Sequence, residues 1–408
     1  MNYKFVEIKE EELDKFVSNS NQSHFMQTSY MKKYYDLKNK ENYILGVKEN
    51  NKLVASFIIV LESTFRKYKK FAIYKGFVLD YNNKELLKFV TDNVVNFLKD
   101  KNCYMFTIDP NIIEIERDTF ANVIENGKNN YDVINELTKL GYRKSEKDVQ
   151  IKWTYVLDIN KRTSDEIFKT FKQNTRNIIS RTVNKFKLNI RTISYEELGD
   201  FKKITEDTCI RRNFQDKSLT YYQNMLKSFK DKVVFKIAEL NCDTYLSSLL
   251  EEKKDYENKI EKIKGSNKKK DNYLQELNYI NKKIEDLTKL KNEKGNIIPL
   301  SCAMFVLTNK EIFYLSSGSY EEYMQYYGQY IIQWDMIKYA CDNGYNRYNF
   351  YGIMDVFDKN GKDYGVYEFK KGFNGYVREL LGEYTYIIDS KVYKRHQVLS
   401  KIKKILFK

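Results

Sequence analysis

Apolar residues follow two rhythms along this chain. Asn42–Val47 and Leu53–Glu62 alternate between apolar and polar positions and are joined by the polar stretch Lys48–Lys52, the pattern of paired strands; Phe71–Asp80 continues it as a third strand. In Lys84–Lys99 the rhythm changes to helical spacing, with Leu86, Leu87, Val90, Val94, Val95 and Leu98 on one face. Tyr104–Ile108 reads as a buried strand stopped by Asp109-Pro110. Asp132–Leu140 reads as a helix closed by Gly141, and Lys152–Ile159 as another strand.

The second part opens on a capping box, Thr163 with Glu166, and a second box, Ser194 with Glu197, predicts a helix running through Cys209. Strands follow at Lys232–Leu240, Leu300–Thr308 and Glu311–Ser316, then a helix at Tyr330–Asp342 and a strand at Tyr345–Tyr351. Strand, strand, strand, helix, strand is the order of the first part, which reads as an internal duplication of structure.

One segment interrupts the second copy. In Thr244–Asn292, Leu246, Leu249, Lys253, Tyr256, Ile260 and Ile263 keep 3-4 spacing. After a turn at Gly265-Ser266-Asn267, Tyr273, Leu277, Ile280, Ile284 and Leu287 keep it again. That pattern predicts an antiparallel helical hairpin, either a solvated structural arm or a binding arm. At the C-terminus, Val392, Val398, Leu399, Ile402, Ile405 and Leu406 form an apolar stripe among seven Lys/Arg residues from Lys391 onward, with no acid after Asp389. Such a helix either packs its stripe on the first domain or lies on an anionic membrane, and the two are compatible.

Within Asn349–Glu383 an aromatic strand breaks at Gly352, and the charged loop Asp355–Gly365 follows. Lys370 and Lys371 then stand between Phe369 and Phe373. By local spacing alone, these lysines are either helix-surface charge or part of a site.

Composition narrows the chemistry. A chain of 408 residues with 42% hydrophobic and 31% charged residues supports more than one globular core. It has no apolar run of about 18 residues and no secretory h-region at its start, so a cytoplasmic location is expected. Five scattered cysteines fit reduced thiols, and two histidines, His24 and His396, are too few for a His-based metal site or a serine triad. Phosphate-binding and nucleophile-elbow motifs are absent, which leaves Lys, Arg, Asp, Glu, Tyr and the backbone to do any chemistry. The net charge of +15 points to an anionic partner.

The run Tyr364-Gly-Val-Tyr-Glu-Phe-Lys-Lys-Gly-Phe-Asn-Gly375, with the closing Leu380-Leu-Gly-Glu383, resembles the Fem (FemABX) family of peptidoglycan-precursor aminoacyltransferases, in the hairpin-containing type that acts on lipid-linked precursor. The resemblance spans nearly the whole chain. It implies an α/β (α+β) fold of two tandem acetyltransferase-like (GNAT) domains. These would be residues 1–155, joined by the C-terminal segment 384–408, and residues 156–383, with the coiled-coil hairpin inserted at 244–292.

It further implies transfer of an amino acid from aminoacyl-tRNA to the side-chain amine, or growing branch, of the stem peptide on lipid II or a related precursor. No cofactor is implied, and homologous bridge-forming transferases would be partners. An ester is already activated, so the reaction needs alignment, a proton acceptor and positive charge at the oxyanion rather than a covalent nucleophile. On the matching positions Lys370 would face the oxyanion, with Phe369 before it. Lys217 and Tyr221 would hold precursor phosphates, and Tyr104, Asp109 and Tyr314 would line the acceptor channel. Asp109 is then either the proton acceptor or an ordinary turn aspartate. Two departures stand out: Ser316 replaces a second channel tyrosine, and Tyr35 replaces a phosphate-binding lysine, leaving Lys32, Lys33 or Lys38 as substitutes.

Two rival readings compete. An acetyl-CoA-dependent N-acyltransferase would need a pyrophosphate loop, and the nearest match is Gln325-Tyr-Tyr-Gly328-Gln-Tyr330, where Tyr330 stands at a small-residue position. A non-catalytic RNA- or membrane-binding protein would use the basic hairpin and tail without needing Lys370 or Asp109.

Overall fold

The computed structural model describes residues 2–146, 148–263 and 268–406. The chain begins with β1 (Tyr3–Glu7), α1 (Glu10–Asn19) and α2 (Ser29–Leu37), then β2 (Asn42–Glu49) and β3 (Lys52–Phe65). Asn50 and Asn51, between these strands, are both left-handed (φ 48° and 65°), as the favoured two-residue hairpin turn requires. Where the sequence predicts one strand over Phe71–Asp80 there are two pieces, β4 (Tyr68–Tyr74) and β5 (Val78–Leu79). Left-handed Lys75 (φ 56°) breaks the run between them. The helix α3 (Lys84–Lys99) has its predicted bounds, started by Asn83, whose side chain accepts from the Leu86 N–H at 3.0 Å. Next come β6 (Cys103–Asp109), β7 (Ile113–Glu116), α4 (Tyr131–Lys139) and β8 (Arg143–Lys144).

The second part runs β9 (Trp153–Asp158), α5 (Ser164–Thr170), α6 (Gln173–Asn184), β10 (Asn189–Thr192), α7 (Leu198–Arg212), α8 (Leu219–Phe229), β11 (Val233–Asn241), α9 (Cys242–Glu261) and α10 (Lys268–Lys294). It continues through β12 (Ile297–Leu307), β13 (Glu311–Ser319), α11 (Gly328–Asp342), β14 (Arg347–Gly352), α12 (Tyr364–Lys371), β15 (Tyr376–Leu380), β16 (Tyr384–Ile387) and α13 (Ser390–Leu406). The Thr163–Glu166 box forms, with Thr163 Oγ1 accepting from Glu166 N at 3.3 Å and Glu166 Oε2 accepting from Thr163 N at 2.8 Å. The predicted Ser194–Glu197 box does not start α7, which begins four residues after Ser194. Glu197 Oε2 accepts from Ser194 N at 2.9 Å and Arg191 meets its other oxygen at 2.5 Å, but Ser194 Oγ donates to Glu196 at 2.7 Å and caps nothing.

Two eight-stranded sheets result. One has the order β1-β2-β3-β4-β6-β16-β8, with β5 on β3; the other is β10-β11-β12-β13-β14-β9-β15-β7. Position for position, β1, β2, β3, β4 and β6 correspond to β10 through β14. Each sheet has one parallel pair, β4–β6 and β13–β14, while its other pairings are antiparallel. The chain also crosses between them: β7 joins the second sheet through β15, and β16 returns to pair with β6 and β8 in the first.

The outer core of the first sheet packs on α3 and α4, and that of the second on α5, α6 and α11. A third core lies between the sheets, where Tyr34 and Tyr35 of α2 meet Phe201 of α7, Tyr222 and Met225 of α8 and the inner faces of β3, β11 and β12. The two halves therefore share apolar burial, and the site lies along that seam.

The inserted hairpin is buried at its base, at Tyr245, Leu249, Ile280 and Leu287. Leu250, Leu274 and Tyr279 are exposed along it. Tyr256 and Tyr273 face each other across the seam at 5.7 Å, and the turn predicted at Gly265-Ser266-Asn267 lies outside the described residues. The helix α13 docks by its first turns only. Val392 is buried against Tyr104 and Met105, while Val398, Leu399 and Ile402 are exposed; the side chains of Ile405 and Leu406 lie outside the described residues.

Candidate active site

The helix α12 carries Lys370 into the second sheet. Lys370 is 4% exposed; its Nζ donates to the Gly352 carbonyl at 2.6 Å, at the end of β14, and lies 5.7 Å from the Tyr314 ring. No carboxylate lies within ion-pair distance of it among the described residues, and burial alone lowers its pKa to about 7. Lys371 is not helix-surface charge either. It is 6% exposed, ion-paired with Glu368, and its Nζ lies 4.8 Å from the Tyr367 ring and 5.4 Å from that of Phe120. Both sides of α12 are covered, so adjacent lysines are both buried. Only Lys371 has its charge matched.

The motif's glycines serve packing. A Cβ on Gly372 would lie 2.3 Å from Thr175 Oγ1 of α6, and one on Gly375 2.1 Å from the Val156 carbonyl of β9. Phe369 is half-buried, its ring 4.8 Å from that of Tyr330, and Tyr330 also stacks on Phe373 at 6.0 Å. Tyr314 donates to Ser317 Oγ at 2.5 Å, and its phenol is pushed up by burial. Gln329, at the start of α11, spends its amide on the Cys302 and Gly318 carbonyls at 2.9 and 2.7 Å.

On the first sheet, Asp109 ends β6 and is 2% exposed, with Oδ2 2.7 Å from Lys75 Nζ. Burial raises its pKa above the usual carboxylate value, and the Lys75 charge opposes that shift. Tyr104 lies at the other end of the strand. A bulge there sets Lys69 opposite Cys103 and Lys70 opposite Met105, so that Tyr104 and Met105 both face α13 while Cys103, Phe106 and Ile108 face the outer core. Its hydroxyl lies 3.1 Å from His396 Nδ1. Tyr104 and Asp109 thus share one side of the strand but stand roughly 15 Å apart along it, at ~3.3 Å per residue.

A residue given no role in the sequence reading belongs to this side as well. Glu383 follows left-handed Gly382 (φ 70°) and is 4% exposed. Burial is the main reason its pKa is raised to about 7, with Lys70 opposing and Glu62 reinforcing the shift. Lys70 is itself paired with Glu62 at 2.8 Å. The signal in the sequence was the acid of the closing Leu-x-Gly-Glu, but its burial depends on β16 returning to the first sheet.

Lys217 and Tyr221 lie together: Lys217 Nζ is 5.7 Å from the Tyr221 ring, which meets Tyr34 edge-on at 6.0 Å, and Lys38 Nζ is 5.6 Å from Tyr34. Among the three possible substitute lysines, Lys32 is paired with Asp36 at 2.6 Å and Lys33 with Glu10 at 3.1 Å. Lys38 has no carboxylate within 4.0 Å among the described residues. Tyr35 is buried, and its phenol is pushed up by burial, then by Tyr74 and Tyr34. Ser316 lies 3.2 Å from the hydroxyl of Tyr222, which supplies a phenol near the vacated tyrosine position. The site residues therefore form three groups along one seam: Lys370, Tyr314 and Phe369; Asp109 and Glu383, with Tyr104 farther out; and Lys217, Tyr221 and Lys38.

Comparison with known proteins identifies the family and the fold. A model of the FemAB family matches residues 8–401. Aminoacyltransferase FemA of Staphylococcus epidermidis is 31% identical over 421 residues, covering 98% of this chain and 100% of that protein. The crystal structure of FemX superposes with a TM-score of 0.77 at 21% identity, over 96% of this chain and 99% of that one. A tandem GNAT protein from the clavulanic acid biosynthesis pathway gives a TM-score of 0.51 at 7% identity, over 95% and 99% of the two chains. These two structures speak to fold, and the fold is that of two acetyltransferase-like halves.

Proposed function

This chain belongs to the FemAB family, and on that premise we propose that it is an aminoacyltransferase that moves an amino acid from aminoacyl-tRNA to the stem peptide of a peptidoglycan precursor, building the interpeptide bridge. The observation that carries the site assignment is Lys370: a buried amine with no acid partner among the described residues, hydrogen-bonded to a strand-end carbonyl. A preorganised donor in a dry site stabilises an oxyanion far more than the same donor in water. As the amine attacks the ester carbonyl, the carbonyl electrons move to oxygen beside Lys370. The amine's proton passes to Glu383 or Asp109; the oxyanion then collapses, the C–O bond to the ribose breaks, and the leaving oxygen takes a proton back from that carboxyl to become the tRNA ribose hydroxyl.

Lys38 and Lys217, two cations flanking the Tyr34–Tyr221 pair, hold the precursor's phosphates as point charges. The acceptor is the lipid-linked precursor, lipid II. The hairpin's Lys-rich faces contact tRNA, and the exposed stripe of α13 with its cations rests on anionic lipid at the inner face of the plasma membrane. No described helix is long and apolar enough to cross a membrane, so this contact is peripheral. The acetyl-CoA reading is disfavoured, because Tyr330 packs on Phe369 and Phe373 at the start of α11, where a pyrophosphate would have to approach the backbone.

The test is transfer of labelled amino acid from a panel of charged tRNAs to soluble and lipid-linked precursors. Lys370→Ala is expected to abolish most turnover while tRNA affinity stays within about twofold. Unchanged turnover would refute the oxyanion assignment.

A further inference from the structure

Lys75 is among the most deeply buried charged side chains, at 1% exposure, and no step of the mechanism above uses it. Its backbone is left-handed, at φ 56°, in the break between β4 and β5. From there its Nζ reaches two acceptors, Asp109 Oδ2 at 2.7 Å and the Ile151 carbonyl at 3.0 Å. Ile151 leads into β9 and packs on Gly352 so closely that a Cβ there would lie 2.6 Å from Ile151 Cδ1. The same Gly352 carbonyl accepts from Lys370, and the next residue, Ile353, donates its N–H to Trp153 O at 3.0 Å. A continuous path thus runs from Asp109 through Lys75, Ile151 and Gly352 to Lys370.

A buried ion pair is a weak stabiliser, because desolvating both charges offsets their attraction. Its presence here calls for another reason. We propose that Lys75 is a positioning residue that keeps the Asp109 carboxylate ionised and aimed, and locks it to the strand end that seats Lys370. This rests on the reading of Asp109 and Lys370 as the reacting pair. Both Asp109 carboxylate oxygens are buried and neither has a hydrogen-bond partner of good geometry among the described residues, so the Lys75 ammonium meets Oδ2 as a charge at 2.7 Å and Oδ1 is left with no partner of its own.

The other titratable groups whose charge reaches Asp109 are Tyr74 of β4, Tyr81 before α3, Tyr351 of β14, Glu383, Lys144 of β8 and Asp148 after it. Of these only Lys144 is a cation, and it is ion-paired with Asp148 at 3.7 Å. His24 is kept neutral by burial and by the charges of Lys75 and Arg378, so it supplies no second cation.

The experiment compares K75M, D109N and K75M/D109N by kcat from pH 5.5 to 9.5, with charged tRNA and precursor. The expected result for K75M is a fall of about tenfold to hundredfold, with the acid limb moved up by at least one pH unit. In the D109N background K75M should change kcat less than twofold, since Lys75 acts through Asp109. Equal losses in both backgrounds, or an unshifted limb with D109N impaired, overturn the proposal alone. D109N as active as the parent refutes the catalytic reading of Asp109 and the proposal with it. Should K75M fail to fold, the unmutated protein still decides: the Asp109 carboxyl 13C resonance, assigned by its loss in D109N, is expected to be that of a carboxylate at pH 7. A protonated carboxyl there overturns the proposal.

Discussion

The two halves repeat one plan and end equivalent strands differently. In the first, β6 ends at Asp109, a buried carboxylate paired with a buried lysine. In the second, β14 ends at Gly352, whose carbonyl takes the ammonium of Lys370. Both strands follow a crossover helix and run parallel to the strand before it, β6 as far as Asp109 and β14 as far as Asn349. The lesson is a division of labour: one half supplies acids on the side where the acceptor amine would lie, and the other supplies a cation where the ester carbonyl would lie. Neither half contains both.

The most severe test of that division is Lys370→Ala, for which we expect kcat to drop by about a hundredfold to a thousandfold, the cost of losing one oxyanion donor. The fold should survive, since Lys370 has no salt bridge to lose. By contrast Gly375→Ala, five residues on, drives a methyl into the β9 backbone and should cost about 3 kcal/mol of stability, read by denaturant titration. If Gly375→Ala proved neutral, the motif's glycines would need a chemical explanation.

Glu383 sharpens the acidic side. A carboxyl with a pKa near 7 takes up a proton as pH falls through 7, so kcat/KM should show a fall there beside the Asp109 limb, and Glu383→Gln should remove the fall near 7, with about a tenfold or greater loss of rate, while the limb that K75M moves stays. The stability effect has the opposite direction. The folded pKa lies above the unfolded value near 4.3, so the native state binds more protons between those two values and loses stability as pH rises through that window. Glu383→Gln should therefore raise Tm at pH 8 and change it little at pH 4. A loss of Tm at pH 8 would mean that the carboxylate is stabilising in its charged form. The smallest effects belong to the phosphate end: Lys38→Ala and Lys217→Ala should each raise KM for precursor roughly fivefold with kcat preserved, about 1 kcal/mol apiece. An unchanged KM for Lys38→Ala would return that role to another residue.

Much of this was legible locally. The bounds of α3, the Thr163 cap and the hairpin strands around Asn50-Asn51 follow from periodicity, one capping side chain and one turn. The Ser194 box misled because only half of it forms: Glu197 accepts from the Ser194 N–H, but the Ser194 hydroxyl donates to Glu196 rather than capping the helix, which starts later at Leu198. The two lysines of α12 show the same limit. Adjacent in sequence and equally buried, they differ in that Glu368 and three aromatic rings satisfy one, while the other has a carbonyl and a single tyrosine ring.

By itself the sequence determined α3, the strands of the duplicated order, the inserted hairpin and the motif that marks the second half. Helix and strand periodicity, caps and turns act over a few residues and are written in them. Only the tertiary structure decided that Tyr104 meets His396 of α13, that Lys38 rather than Lys32 or Lys33 is unpaired with acid among the described residues, that Glu383 is buried, and that Lys75 connects the two halves. Each depends on burial and on a partner distant in sequence, and desolvation and Coulomb energies depend on what surrounds a charge in space.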